Sequence, residues 1–205
     1  MMTLTAVLFV GGESRRMGAD KATRLWDGEP LWARQLRTLR ELSPEKILIS
    51  ARTKPVWCPT EIETVLDEPP PCGPLGGLAA ALKQIQTTHL LALAVDLPQM
   101  NSDYLRGLWR QAQPGLGVVP EQAGFFEPLC AVYPVAAVMH AAGEIQAGRL
   151  TLQDFIRRLL AMKLMLAKKI TAPDLFWNVN TPTELEPISG QVVPASGIEP
   201  LTSGL

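Results

Sequence analysis

Leu4-Thr5-Ala6-Val7-Leu8-Phe9-Val10 is almost wholly apolar and stops at Gly11-Gly12. A run this short, rich in Val and Phe and closed by glycines, predicts a strand buried on both faces of a parallel sheet. Ile47–Ser50 and Ile62–Leu66 predict a second and a third strand, and Leu90–Val95, an unbroken apolar run, a central one. From Leu31 to Leu42, Trp32, Leu36 and Leu39 fall on one stripe at helical spacing, with Arg34, Arg37 and Arg40 elsewhere. That pattern predicts an amphipathic helix whose apolar side lies on the sheet and whose arginines form a solvated face. Residues 67–77 read as a stiff, turn-rich loop that opens onto a helix at Leu78-Ala79-Ala80-Ala81-Leu82.

The second half of the chain continues the alternation. Asn101 or Ser102 caps a helix running toward Ala112, and Gln113-Pro114-Gly115 breaks it. Gly117–Pro120 predicts a short strand, Glu121–Phe126 a turn, and Ala131-Val132-Tyr133 another strand. A helix is expected over Pro134–Ala147. Thr151-Leu152-Gln153-Asp154 resembles a capping box for a further helix, with Phe155, Ile156, Leu159 and Leu160 inward. Met162–Ile170 fits an edge strand, and Thr181-Pro182-Thr183-Glu184 reads as a helix start. The order of strands and helices describes an α/β fold, a doubly wound sheet with helices on both faces and ligand loops along one edge. Residues 1–187 form one predicted domain, and 188–205, mixing Ser, Gly and Pro without periodicity, a predicted flexible tail.

Composition narrows the classes. A formal charge of −1 over 205 residues gives no global basic field for nucleic acid or an anionic membrane. No apolar run approaches the roughly 20 residues needed to span a bilayer, and no secretory signal is recognisable. Cys58, Cys72 and Cys130 are odd in number and lack C-x-x-C spacing, which predicts reduced thiols and a cytoplasmic location rather than a disulfide framework or zinc site. His89 and His140 stand far apart, without neighbouring ligand types, and read as structural or solvated.

The candidate chemistry sits where strands end. The loop Val10-Gly11-Gly12-Glu13-Ser14-Arg15-Arg16-Met17-Gly18-Ala19-Asp20-Lys21 leaves the carboxyl end of the first strand. Its glycines permit close backbone approach, its N–H groups can form an anion-binding concavity, and Arg15, Arg16 and Lys21 surround it with cations. A polyphosphate is the fitting guest. The spacing is neither a Walker loop nor a G-x-G-x-x-G fingerprint. Asp67 and Asp96 each end a strand. A carboxylate such as Asp96 suits Mg²⁺, which takes one or two carboxylates and fills its other positions with water and phosphate oxygens. Asn178 and Asn180 share one strand face and carry both donors and acceptors, which suits a heterocycle or a phosphate.

The opening loop resembles the G-G-x-S-x-R-M-G-x-D-K signature of the molybdenum cofactor guanylyltransferases, members of the nucleotidyltransferase superfamily. Gly11, Gly12, Ser14, Arg16, Met17, Gly18, Asp20 and Lys21 all match. Gly73–Gly77, Asp96-Leu97-Pro98, Glu127–Tyr133 (E-P-L-x-A-x-Y) and Asn178–Pro182 (N-x-N-T-P) match further motifs in the same order. The resemblance implies a three-layer α/β/α fold with a mostly parallel mixed sheet, like that of the nucleotide-diphospho-sugar transferases. It implies transfer of GMP from GTP to the terminal phosphate of molybdopterin, with release of pyrophosphate. Arg16, Lys21 and Asp96 are the implied catalytic residues, and Asp96 the implied Mg²⁺ ligand. Phe9, Val10, Gly11, Gly12, Ser14, Lys21, Asp67, Gly76 and Asp96 are expected to bind the nucleotide, and Glu127, Asn178 and Asn180 the acceptor. Expected partners are GTP and molybdopterin, with molybdoenzymes or their chaperones; no nucleic acid or membrane is expected. Alternatives are a cytidylyltransferase for the same cofactor, a sugar-phosphate nucleotidyltransferase, or a nucleotide-binding delivery module without chemistry. The Gly11-Gly12 pair favours guanine among them.

Overall fold

The computed structural model describes residues 1–11, 21–67 and 72–179. The strands are β1 (Leu4–Phe9), β2 (Leu25–Trp26), β3 (Glu29–Pro30), β4 (Lys46–Ala51), β5 (Glu63–Leu66), β6 (His89–Ala94), β7 (Gly117–Gln122), β8 (Phe125–Phe126), β9 (Cys130–Pro134) and β10 (Met165–Lys169). The helices are α1 (Leu31–Arg40), α2 (Gly73–Gln84), α3 (Ser102–Trp109), α4 (Ala137–Gln146) and α5 (Leu152–Ala161). One eight-stranded sheet runs in the order β10-β7-β9-β6-β1-β4-β5, with β8 alongside β7. The block β5-β4-β1-β6 is parallel, β9 is antiparallel to both β6 and β7, and β10 is parallel to β7. The sheet is therefore mixed and mostly parallel.

Strand alternation sorts the core into two layers. Ala6 and Leu8 of β1 and Leu91 and Leu93 of β6 join the cluster under α1 and α3. Val7 and Phe9, with Leu90 and Ala92, join the cluster under α2, α4 and α5. Side chains on successive residues point to opposite faces, so a strand apolar at every position can feed both. That is the three-layer α/β/α architecture expected from the sequence. The order 3-2-1-4 within the parallel block places a topological switch between β1 and β6, where the crevice of such sheets opens.

Several boundaries differ from expectation. Gly73–Gly77 is not loop but the first turns of α2, with Pro74 in the first turn and Gly73 at a left-handed φ of +63°. Pro at the start of a helix forfeits no hydrogen bond, because the first N–H groups have no partner in the helix anyway. Residues 134–136 do not open α4, since β9 extends through Pro134. Residues 121–126 form a hairpin: β7 reaches Gln122 and β8 returns, with Ala123 and Gly124 at φ +52° and +83°, as a tight hairpin turn requires. The two-residue pair β2–β3 was not foreseen either. Two caps are as read: Asn101 accepts from the Tyr104 N–H and Thr151 from the Asp154 N–H. The Thr181–Glu184 helix start and the tail lie outside the described residues.

Candidate active site at the β1 and β6 strand ends

β1 and β6 run side by side and parallel, so Phe9 and Ala94 end at the same rim. The ladder continues past both strands: Val10 N–H donates to Ser50 O (3.0 Å) and Val95 N–H to Phe9 O (3.0 Å). This fixes Val10, Gly11 and Asp96 on one edge. Lys21, in a single 3₁₀ turn over Lys21–Thr23, reaches across, and its Nζ stands 2.8 Å from Asp96 Oδ2. The side chains of the pair retain 17% and 22% exposure, enough to strengthen their attraction over that of a surface pair and still admit a ligand.

Asp96 Oδ1 is buried and has no hydrogen-bond partner among the described residues. An unpartnered buried carboxylate oxygen is costly, and a cation satisfies it. That oxygen, on the carboxylate whose other oxygen meets Lys21, fits a divalent ion held by one carboxylate and phosphate oxygens. Among the described residues no group of three or more His, Cys, Asp or Glu could hold a metal.

The Asp96 turn is gripped from α1. Arg34 Nε donates to Pro98 O (2.6 Å), and the fully buried Gln35 donates through Nε2 to Leu97 O. Arg34 is thus not a solvated arginine as the sequence suggested. It reaches a carbonyl 64 residues along the chain, a contact no local pattern signals. Arg37 and Arg40 do lie on the surface, paired with Glu29 and Glu61.

On one side lies Asp67, half-buried at the end of β5. Burial pushes its carboxyl up, against the opposing pull of Arg52. A Cβ on Gly77 would stand 2.9 Å from Ser50 Oγ and 3.0 Å from Asp67 Oδ1, and one on Gly76 3.0 Å from Cys72 Cβ. Glycine therefore lets the α2 terminus approach the rim closely. Gly77 belongs to the Gly73–Gly77 motif, whereas Arg52 had not been singled out in the sequence. Arg52 follows β4 directly, and its backbone N is 3.8 Å from where a Gly11 Cβ would sit.

On the other side, antiparallel β9 brings its start back to the rim, where Ala94 N–H donates to Leu129 O (2.7 Å). The E-P-L-x-A-x-Y motif acquires a physical reason: the buried Tyr133 hydroxyl donates to Pro128 O (2.7 Å), locking the loop that carries Glu127. Burial first, and the Asp96 charge second, raise the Glu127 carboxyl above the usual range. Glu127 is thus no plain surface carboxylate. Val179 N–H donates to Asp96 O (3.1 Å), so the segment carrying the exposed Asn178 is stitched to the same turn. Phe9, Val10, Gly11, Lys21, Asp67, Gly76, Asp96, Glu127 and Asn178 all belong to this rim or the segments tied to it. Gly12, Ser14, Arg16 and Asn180 lie outside the described residues.

Comparison with known proteins identifies the family of the chain. Residues 6–163 match the model of the MobA-like NTP transferase domain. A relative from Opitutus terrae, named "Probable molybdenum cofactor guanylyltransferase", is 37% identical over 165 residues, covering 79% of this chain and 82% of that protein. One of the same name from Deinococcus radiodurans is 33% identical over 198 residues, covering 93% and 96%. Among solved structures, the molybdopterin-guanine dinucleotide biosynthesis protein A of Archaeoglobus fulgidus superposes with a TM-score of 0.68 at 21% identity, covering 88% of this chain and 94% of that one. No helix among the described residues is long and apolar enough to cross a membrane. The chain belongs to the MobA-like NTP transferase family.

Proposed function

We propose that this protein is a molybdenum cofactor guanylyltransferase: it moves GMP from GTP to the terminal phosphate of molybdopterin. The observation that carries this reading is the Lys21–Asp96 contact at the β1/β6 rim, with one Asp96 oxygen left without a partner. The names of the relatives supply the two substrates.

An oxygen of the acceptor's phosphate attacks the α-phosphorus of GTP. A bond forms between them, the bond from that phosphorus to the bridging β-oxygen breaks, and pyrophosphate leaves with the electron pair. A phosphate monoester is a competent nucleophile near neutral pH, so no strong general base is required. The protein's part is positioning and charge neutralisation. Lys21 donates to triphosphate oxygens and exchanges Asp96 for them as substrate enters. Asp96 would hold Mg²⁺ through Oδ1, and the bound ion supplies positive charge against the triphosphate. Arg16, assigned from its motif, adds a second cation. The Val10–Gly11 backbone and Asp67 orient the nucleoside, while Glu127 and Asn178 face the acceptor.

Purified protein with GTP, MgCl₂ and molybdopterin should form the dinucleotide and pyrophosphate in equal amounts. GTP binding without pyrophosphate release would replace this reading with a delivery module. Turnover with CTP in preference to GTP would move it to the cytidylyltransferases.

A further inference from the structure

Two tryptophans lie on the segments that lead to the two halves of the ion pair. Trp26 lies on β2, just after the turn that carries Lys21. Trp177 precedes Asn178, and the next residue, Val179, is the one bonded to the Asp96 carbonyl. Their ring centroids are 5.4 Å apart and their planes are tilted by 50°. Each indole is thus tied, through a short piece of backbone, to one half of the Lys21–Asp96 contact.

Behind this pair the chain is well packed. Phe176 meets Tyr104 of α3 edge-on at 5.3 Å and rests against the α1/α3 core, and Val179 is fully buried. Trp177 lies between them and keeps 37% of its surface exposed, next to the exposed Asn178. Two apolar residues turn inward, and the largest ring of the segment is left partly exposed beside a polar side chain. An indole offers an apolar face with one polar N–H at its edge, and exposed rings rimmed by polar groups mark ligand contacts. Trp26 rests on the core face of α1 and α3, whereas Gly76 and Gly77 begin the helix on the opposite face. The tryptophans are therefore on the flank away from the α2 terminus.

We propose that Trp26 and Trp177 form a ledge on which the fused ring of the acceptor stacks, with the ring's polar edge toward Asn178. The inference rests on the transfer reading above. The pyrimidine ring of a reduced pterin is flat: its faces seek apolar contact and its edge seeks amide-type partners. Stacking a heterocycle on one aromatic side chain changes affinity by about tenfold or more.

The test is anaerobic steady-state kinetics of Trp177→Ala, Trp177→Phe and Trp26→Ala with molybdopterin, alongside calorimetric titration of GTP. Trp177→Ala and Trp26→Ala should each raise the KM for molybdopterin about tenfold, with kcat and GTP affinity within about twofold of wild type. Trp177→Phe should restore most of the loss, because a face for stacking remains. An unchanged acceptor KM in an active Trp177→Ala enzyme overturns the ledge, as does a weakened GTP affinity in its place. Loss of turnover in the wild type would instead overturn the transfer reading. The ledge is then read from binding: molybdopterin should quench indole fluorescence in the wild type, and less so in Trp177→Phe. Equal quenching in the two proteins overturns it.

Discussion

Asp96 owes its place to groups other than its own side chain. Phe9 O holds the residue before it, Val179 N–H holds its carbonyl, and Arg34 and Gln35 hold the two carbonyls after it. A carboxylate fixed this way can leave one oxygen free for a cation without swinging away. Asp96→Ala and Lys21→Ala should each lose at least about tenfold in the rate of pyrophosphate release, equivalent to about 1.4 kcal/mol of barrier. Retention of full activity by both would mean the chemistry lies elsewhere. At the far end of β6, His89 is fully buried, with Nε2 3.1 Å from Gln113 O and its ring edge-on to Trp109. Burial depresses its pKa below the ordinary 6.5, outweighing the opposing hydrogen bonds. Below about pH 6.5 the unfolded chain then binds more protons than the folded one, so this contribution is complete above that pH and is lost as pH falls toward the folded value. Urea midpoints should drop between about pH 7.5 and 5.5, with a shallower drop in His89→Gln.

At the scale of elements, close backbone approaches decide what can change. Gly77→Ala improves helix propensity by about 1 kcal/mol, but its new Cβ must displace Ser50 Oγ or Asp67 Oδ1. The two effects oppose each other in stability and not in binding. GTP affinity is expected to weaken about fivefold or more while the urea midpoint moves little, a split that calorimetry and denaturation read separately. Gly117 is different. A Cβ there would stand 2.2 Å from Val132 O and 3.2 Å from Tyr133 Cα, both backbone atoms of β9 that cannot rotate aside. Gly117→Ala should cost about 2–3 kcal/mol by forcing β7 from β9, measurable as a lower urea midpoint. Gly77 stood out in the sequence only as part of a motif, and Gly117 only as the start of a strand. Gly-Pro-Leu-Gly-Gly reads as loop because glycine and proline are poor helix formers, and the packing that overrides propensity comes from Phe9, Ser50 and Asp67, all outside the motif. The long strands were legible because they are apolar at every position. The two-residue strands β2, β3 and β8 are shorter than any period. Arg34 was misread because its partner is a carbonyl, which carries no residue-type signal.

The whole molecule reads more plainly than its parts. The α/β/α class followed from apolar runs alternating with amphipathic stretches, and the rim followed from glycines and aspartates placed where the runs stop. The reversal of β9 was not legible, because an apolar strand carries no mark of its direction. None of the three cysteines is in a disulfide; Cys58 and Cys130 are buried and Cys72 is partly exposed. Burial also raises the Cys130 thiol well above its ordinary value, which keeps it protonated. A thiol reagent should therefore titrate Cys72 rapidly in the native protein and reach the other two only in denaturant, and reductant should leave the thermal midpoint unchanged. Rapid labelling of all three in the native state would contradict this core.

The seam between β6 and β9 has a consequence for how the chain is made. Residues 4–94 can assemble β5-β4-β1-β6 as they leave the ribosome, but the outer side of β6 stays open until residues 130–134 have emerged. During that interval the nascent chain presents Leu90, Leu91 and Leu93 on an unpaired apolar edge, the geometry that recruits other chains. Slow codons would be most harmful between those two points.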